Sequence, residues 1–427
     1  MEGEIIVKLK KASQNSYLKF SDISSLSDIE SIDDLNKKHN VQSVTKLFEN
    51  CEDSSLSRIY KLKLPKDGDI YSILEEYRNN ENVEYAELNF ILRAFNTPND
   101  PDFESQWGLH NTGQTGGTVD ADIDAPEAWD LTHGSSKIVI AIVDTGVDYT
   151  HPDLAKNCIK GYDFVNNDND PMDDQGHGTH CAGIAAAVTN NGIGIAGVSW
   201  NSKIMPIKTL DSIGDGSYEN AAKSIVYATE NGANIISNSY GGPANANSHL
   251  LKDAINYSYN KGVILIAAAG NENTNEKRYP AAYDQVIAVA ATDENDDRWY
   301  DSNYGDWVDL AAPGEYILST KLGGGYTHKS GTSMACPHVA GIAALILSRD
   351  SSLSAEKVKE ILLKSTDKLD TNEYIGTGRA NAYLAVKNTK SIERDRRQAS
   401  SYLFDVFDNI LARFYELFNT VLKNIVK

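Results

Sequence analysis

Residues 96–390 predict an α/β fold, a doubly wound and mainly parallel sheet, and three observations carry the prediction. The apolar runs Ile138–Val143, Ile204–Ile207, Ile235–Ser237, Val263–Ala269 and Val286–Ala290 are short and lack polar alternation, as strands buried on both faces do. Helical segments separate them, the alternation that lays strands parallel and covers both faces of a sheet. Polar residues follow the runs directly, and ligands of such sheets sit beyond the carboxyl ends of the strands.

The rest of the chain falls on either side of this core. Its 427 residues are about two to three times a typical domain's length. Ahead of the core, Ile5-Ile6-Val7-Lys8-Leu9-Lys10 and Ile59-Tyr60-Lys61-Leu62-Lys63-Leu64 alternate as half-buried strands do. Ile70–Tyr77 supports a short helix and Val83–Leu92 a further strand, so residues 1–95 read as a small α+β unit. Behind the core, residues 391–427 place Leu403, Phe407, Ile410, Phe414, Leu417 and Val421 at alternating steps of four and three, an amphipathic C-terminal helix. Asp405, Asp408, Arg413, Glu416 and Lys423 exclude a membrane span there, and docking in cis, self-association or a partner helix would each satisfy the pattern.

Charge narrows the partners. The chain carries 40 basic and 60 acidic side chains, net -20, of which residues 1–95 hold -4, residues 391–427 hold +1 and the core -17. Such a surface repels phosphate backbones and anionic membranes, which argues against nucleic acid and makes cation binding worth testing. No stretch approaches the roughly 18 apolar residues of a membrane span. Met1-Glu2-Gly3-Glu4 lacks the basic and apolar regions of a secretory leader, which leaves export and retention in the cell both open. Cys51, Cys158, Cys181 and Cys336 form no CxxC pair and are too scattered for a disulfide framework, so free thiols are expected.

Three polar positions of the core form a nucleophilic set. Asp144 ends the run Ile138–Val143 and precedes Thr145-Gly146, which puts a carboxylate at a strand's carboxyl end. His177 lies in Gly176-His177-Gly178-Thr179-His180 before the helical stretch Ile184–Val188, and Ser333 in Gly331-Thr332-Ser333-Met334-Ala335 before the helical Val339–Leu347. A serine hydroxyl is a poor nucleophile unless an imidazole takes its proton, and a carboxylate fixes that imidazole's tautomer. The order Asp, His, Ser differs from the orders of chymotrypsin-type enzymes and α/β-hydrolases and is that of subtilisin.

Through these three motifs the sequence from about Asn96 to Leu384 resembles the subtilisin-like serine proteases, and their thermitase branch in particular. The resemblance implies a serine endopeptidase acting on protein or peptide substrates, with Ser333 as nucleophile, His177 as general acid and base, and Asp144 orienting it. It also implies that Asn271, in Ala267-Ala268-Ala269-Gly270-Asn271, donates to the oxyanion together with the Ser333 N–H. Substrate would add strands to Ser239-Tyr240-Gly241 and Ala268-Ala269-Gly270, with Arg278 at the base of the first specificity pocket. A first calcium site would comprise Asp100, Asp153, the Asn191 side chain and the carbonyls of Val188, Ile193 and Ile195, an all-oxygen set. A second would use Asp163, Asp168 and Asp170, with Asn166 where the resembled loop has an acid. Residues 1–95 resemble the family's propeptide, an intramolecular inhibitor removed by self-cleavage, here near Phe95-Asn96; such enzymes are secreted zymogens. A catalytically silent binding module, or a scaffold assembling through the tail, is the competing class.

Two further features complete the reading. Gly192-Ile193-Gly194-Ile195-Ala196-Gly197 satisfies GxGxxG but follows a helical stretch instead of a strand, the wrong setting for a dinucleotide site. Cys181, four residues after His177, and Cys336, three after Ser333, should border the active site as buried thiols that confer sensitivity to mercurials.

Overall fold

The computed structural model describes residues 3–11, 29–48, 55–65, 70–89, 97–243 and 247–389. The amphipathic tail and the Phe95-Asn96 junction lie outside the described residues. The chain divides into two compact units, Met1–Ala94 and Phe95–Lys427.

The first unit runs β1 (Glu4–Leu9), α1 (Glu30–Lys38), β2 (Ser43–Lys46), β3 (Ile59–Lys63), α2 (Ile70–Arg78) and β4 (Val83–Leu88). Its strands form an antiparallel sheet in the order β2-β3-β1-β4. Ile5, Val7, Leu62 and Val83 of the strands pack with Ile32 of α1 and Leu74 and Tyr77 of α2 in one core. Burying Tyr77 requires a partner for its hydroxyl, which donates to the buried Asn36 side chain at 2.8 Å.

The second unit runs α3 (Ala125–Trp129), β5 (Val139–Asp144), β6 (Tyr162–Asp163), α4 (His177–Ala186), β7 (Lys203–Lys208), α5 (Tyr218–Glu230), β8 (Ile235–Asn238), α6 (His249–Asn260), β9 (Ile264–Ala268), β10 (Val286–Thr292), β11 (Leu310–Pro313), β12 (Ile317–Thr320), β13 (Tyr326–Lys329), α7 (Thr332–Arg349), α8 (Ala355–Lys364), β14 (Thr366–Asp367) and β15 (Arg379–Ala380). Nine strands make one sheet in the order β14-β15-β11-β10-β9-β8-β5-β7-β6, parallel throughout except for the edge strand β14. The five predicted runs are its central strands. Residues of β5, β7, β8, β9 and β10 are buried on both faces, which is why they read as continuous apolar runs.

Topology places the site. From β5 the chain passes through α4 to β7 on one side, then returns through α5 to β8 on the other, so the strand order reverses at β5. A crevice opens at the carboxyl end of such a strand, and Asp144 is the last residue of β5. Helix α7 is buried along nearly its whole length because it is apolar all round. No described helix is long and apolar enough to cross a membrane.

Candidate active site

Asp144 and His177 come together through two glycines. Gly146 turns the chain after β5 with φ +101°, where a Cβ would lie 2.6 Å from the Pro171 carbonyl oxygen. Gly178 lets the first turn of α4 approach, since a Cβ there would meet the Gly146 carbonyl oxygen at 2.1 Å and the Asp144 Cβ at 2.9 Å. Asp144, fully buried, accepts the Thr145 N–H at 2.8 Å and sits 2.7 Å from His177 Nδ1 through the same Oδ1. Its Oδ2 has no hydrogen-bond partner among the described residues. Burial disfavours a charged His177, but the adjacent Asp144 carboxylate outweighs it and holds the imidazole pKa well above 6.5.

Ser333 is the second residue of α7, on the first turn of a helix whose amides give a locally positive potential. Its hydroxyl donates to the Ser239 carbonyl at 3.0 Å and makes no hydrogen bond to His177 here. Hydroxyl–imidazole contacts of this kind often tighten only when substrate binds. Pro337, four residues on, has no N–H to offer the Ser333 carbonyl. That carbonyl is bonded instead by Ser239 Oγ at 3.0 Å and Cys181 Sγ at 3.4 Å, so the proline frees the nucleophile's backbone to be tied across to the residue after β8 and to α4.

Asn271 follows β9. Its Oδ1 accepts both the Thr332 N–H at 2.9 Å and the Thr332 hydroxyl at 2.8 Å, which leaves Nδ2 as a donor beside Ser333. His177, Ser333 and Asn271 line one cleft of about 370 Å³ together with Ser239, Tyr240, Gly241, Ala268, Gly270 and Arg278. Ala269 does not reach the cleft; it is buried, with its N–H on the Val289 carbonyl.

Glu272, also in the cleft, was not visible as a site residue in the sequence, although it directly follows Asn271. Its carboxylate lies 3.3 Å from Arg278 Nε and accepts from Asn303 Nδ2 at 2.7 Å. The guanidinium is thus neutralised inside the cleft. Neither predicted thiol lines the cleft: Cys181 Sγ lies 3.9 Å from His177 Nδ1, Cys336 Sγ lies 3.4 Å from Ser237 Oγ, both are fully buried and free, and burial raises both, Cys336 to about 12.

The first predicted cation site assembles around two buried carboxylates. Asp100 accepts the Asn190 and Asn191 N–H groups, and Asp153 accepts Ile195 N–H, Tyr326 hydroxyl and Asn191 Nδ2. Burial raises the Asp100 pKa, the neighbouring Asp153 adds to this, and neither has a cationic side-chain partner among the described residues. The carbonyls of Val188, Ile193 and Ile195 receive no hydrogen bond among the described residues, whereas those of Gly194 and Ala196 are taken by Asp102 N–H and Gln106 Nε2. Unpaired carbonyls beside two buried carboxylates are a donor set that fits a hard cation. The GxGxxG stretch is this loop, and Gly194 (φ +53°) lets it approach, with no room for a Cβ against Tyr326 and Asp153.

The second loop is arranged differently. Asp163 Oδ1 accepts the Val165 and Asn166 N–H groups, and its Oδ2 accepts Asn166 Nδ2 at 2.9 Å. Asp168 accepts Asp170 N–H and Asp170 accepts the Tyr149 hydroxyl. Among the described residues the one trio of acid, imidazole and thiol groups mutually within 4.8 Å is Asp144, His177 and Cys181, so Asp163, Asp168 and Asp170 do not converge. The Asn166 amide bonds Asp163 as Asn191 Nδ2 bonds Asp153 in the first site, but here the carboxylates stand apart instead of gathering around one point.

A buried carboxylate on an imidazole, beside a serine at a helix start and an amide donor, at the carboxyl end of a parallel sheet, is the arrangement of a serine hydrolase. Residues 135–387 match the Subtilase family, Peptidase S8, and the chain belongs to that family as a serine endopeptidase. Residues 1–89 match the fervidolysin N-terminal prodomain. A thermophilic serine proteinase of Bacillus sp. (strain AK1) is 45% identical over 328 residues, 76% of this chain and 78% of that protein. Thermitase of Thermoactinomyces vulgaris is 47% identical over 293 residues, 68% of this chain and 99% of thermitase. A protease structure from Pseudoalteromonas arctica PAMC 21717 superimposes with a TM-score of 0.63 at 34% identity, covering 69% of this chain and 99% of its own.

Proposed function

We propose that the endopeptidase works through an acyl-enzyme on Ser333 and is made as a calcium-stabilised zymogen. The observation that carries this reading is that His177, held by the buried Asp144 at 2.7 Å, lines one cleft with Ser333. As Ser333 Oγ attacks the scissile carbonyl, His177 Nε2 takes its proton, while Asp144 holds Nδ1–H and stabilises the imidazolium. Asn271 Nδ2 and the Ser333 N–H receive the oxyanion. His177 then protonates the leaving amine, and the same imidazole activates the water that frees Ser333.

Substrate lies extended between Ser239–Gly241 and Ala268–Gly270, where main-chain bonding holds it independently of most side chains. Its P1 side chain meets the Arg278–Glu272 pair, which together carry no net charge, and this accommodates an apolar residue such as Phe95. Asp100, Asp153, Asn191 and the three free carbonyls would hold Ca²⁺, which supplies the positive charge the two carboxylates lack. Residues 1–95 act as inhibitor domain, 96–390 as peptidase and 391–427 as an extension. Cleavage near Phe95-Asn96 is autocatalytic: Ser333→Ala should stay full length through purification in Ca²⁺ while wild type yields a new N-terminus near Asn96. Processing of the purified variant would refute it.

A further inference from the structure

We propose that Asp173 is a positioning residue for the Asp144–His177 pair, holding in register the two segments that carry it. The inference rests on the catalytic roles given above. Asp173 lies on the loop ahead of α4, is 3% exposed, and its carboxylate accepts five hydrogen bonds. Oδ1 takes the Thr145 hydroxyl at 2.8 Å and the Gln175 and Gly176 N–H groups at 2.9 and 2.8 Å. Oδ2 takes the Thr179 N–H at 2.9 Å and its hydroxyl at 2.5 Å.

These partners bracket the pair. Thr145 is the residue after Asp144, and its N–H is on Asp144 Oδ1. Gly176 and Thr179 flank His177, and the Gly178 N–H between them donates to Thr145 Oγ1 at 3.0 Å. A closed ring therefore runs from Asp144 through Thr145, Asp173 and the first turn of α4 to His177 and back to Asp144. The anion also sits where the orphan amides and dipole of a ten-residue helix favour negative charge. The nearby lysines are occupied elsewhere, Lys208 by Asp174 and the Thr145 and Leu210 carbonyls and Lys329 by the Gly176 carbonyl, and Asp173 has no ion pair among the described residues. Reacting groups tolerate little misplacement, about a hundredfold in rate for 1 Å. Loosening the ring should therefore act on turnover more than on substrate binding.

The test expresses Asp173→Ala, Asp173→Asn and Thr145→Val as full chains, counts active sites by fluorophosphonate labelling to completion, and measures kcat, KM and the pH profile with a peptide p-nitroanilide bearing P1 Phe. Asp173→Ala should lose at least tenfold in kcat per labelled site with KM within twofold. The acid limb of kcat/KM should move to lower pH, because His177 loses part of the contact that raises it. Asp173→Asn, which keeps one accepting oxygen, should fall between. Unchanged kcat per site and an unshifted limb, with the loss confined to the number of labelled sites or to Tm, would overturn the proposal. Thr145→Val cuts the tie but leaves the carboxylate on the α4 amides, and decides by the same outcomes if Asp173→Ala does not accumulate. Labelling that persists in Ser333→Ala would instead refute the catalytic roles themselves.

Discussion

Replacing Glu272 with Gln unmasks the Arg278 guanidinium and should give the cleft a preference for acidic P1 residues. The two side chains meet at 3.3 Å, Arg278 17% exposed and Glu272 50% exposed. Two unit charges about 4 Å apart interact by about 4 kcal/mol at an effective dielectric of 20 and about 1 kcal/mol in bulk water. The exposure of Glu272 puts this site near the wetter limit, so an unmasked arginine is worth about 1–1.5 kcal/mol to a P1 carboxylate, roughly tenfold in kcat/KM. The assay compares matched peptide p-nitroanilides with P1 Glu and P1 Phe. Wild type should prefer Phe, Glu272→Gln should raise the Glu/Phe ratio about tenfold, and Arg278→Gly should lower it. The gain should shrink with added salt, since the charges are partly solvated. A ratio that moves with neither substitution would show that Arg278 does not meet the P1 side chain.

Three other outcomes are expected. Asn271→Ala should cost about 10²–10³ in kcat, the range seen for losing the corresponding donor in a subtilisin, with KM little changed; a loss under fivefold would remove it from the oxyanion hole. Chelation of a calcium-loaded sample at about 100 times Kd withdraws about 2.7 kcal/mol, roughly 4 °C in Tm for a domain of this size, and Asp100→Asn should abolish most of the response; identical melting in Ca²⁺ and chelator would count against the site. Burial raises Asp124 to about 7, with Asp122 adding to the shift. A carboxyl raised in the fold contributes stability that is complete below its unfolded value of 3.8 and lost as pH rises through about 7. Asp124→Asn should therefore flatten the fall in Tm between about pH 4 and 7, and an unchanged slope would contradict the assignment.

The sheet was legible because burial on both faces leaves a plain mark, and even the short run Ile235–Ser237 marks the strand Ile235–Asn238. Strands such as Tyr162–Asp163 and Arg379–Ala380 are too short to have a period and exist only through their neighbours. The α1 helix was missed because Ile32 and Asn36 are its only buried positions. Asp144, His177 and Ser333 could be found since the chemistry dictates their types and the fold dictates their places, at a strand end and two helix starts. Glu272 and Asp173 could not. An acid six residues before an arginine is common, and one three residues before a Gly-His pair reads as a turn residue; each gains its meaning from contacts that only the folded loops create. The bond from the Asn166 amide to Asp163 is likewise a contact that only the folded loop creates.

The central claim is that Ser333 is the nucleophile of a covalent mechanism. A serine-directed fluorophosphonate reacted with the wild-type enzyme in Ca²⁺, followed by intact-mass measurement and peptide mapping, tests it most directly. One adduct per chain on Ser333, absent in Ser333→Ala and lost together with peptidase activity, is the predicted result. Full activity after labelling at another residue, or stoichiometric labelling of Ser333→Ala, would contradict it.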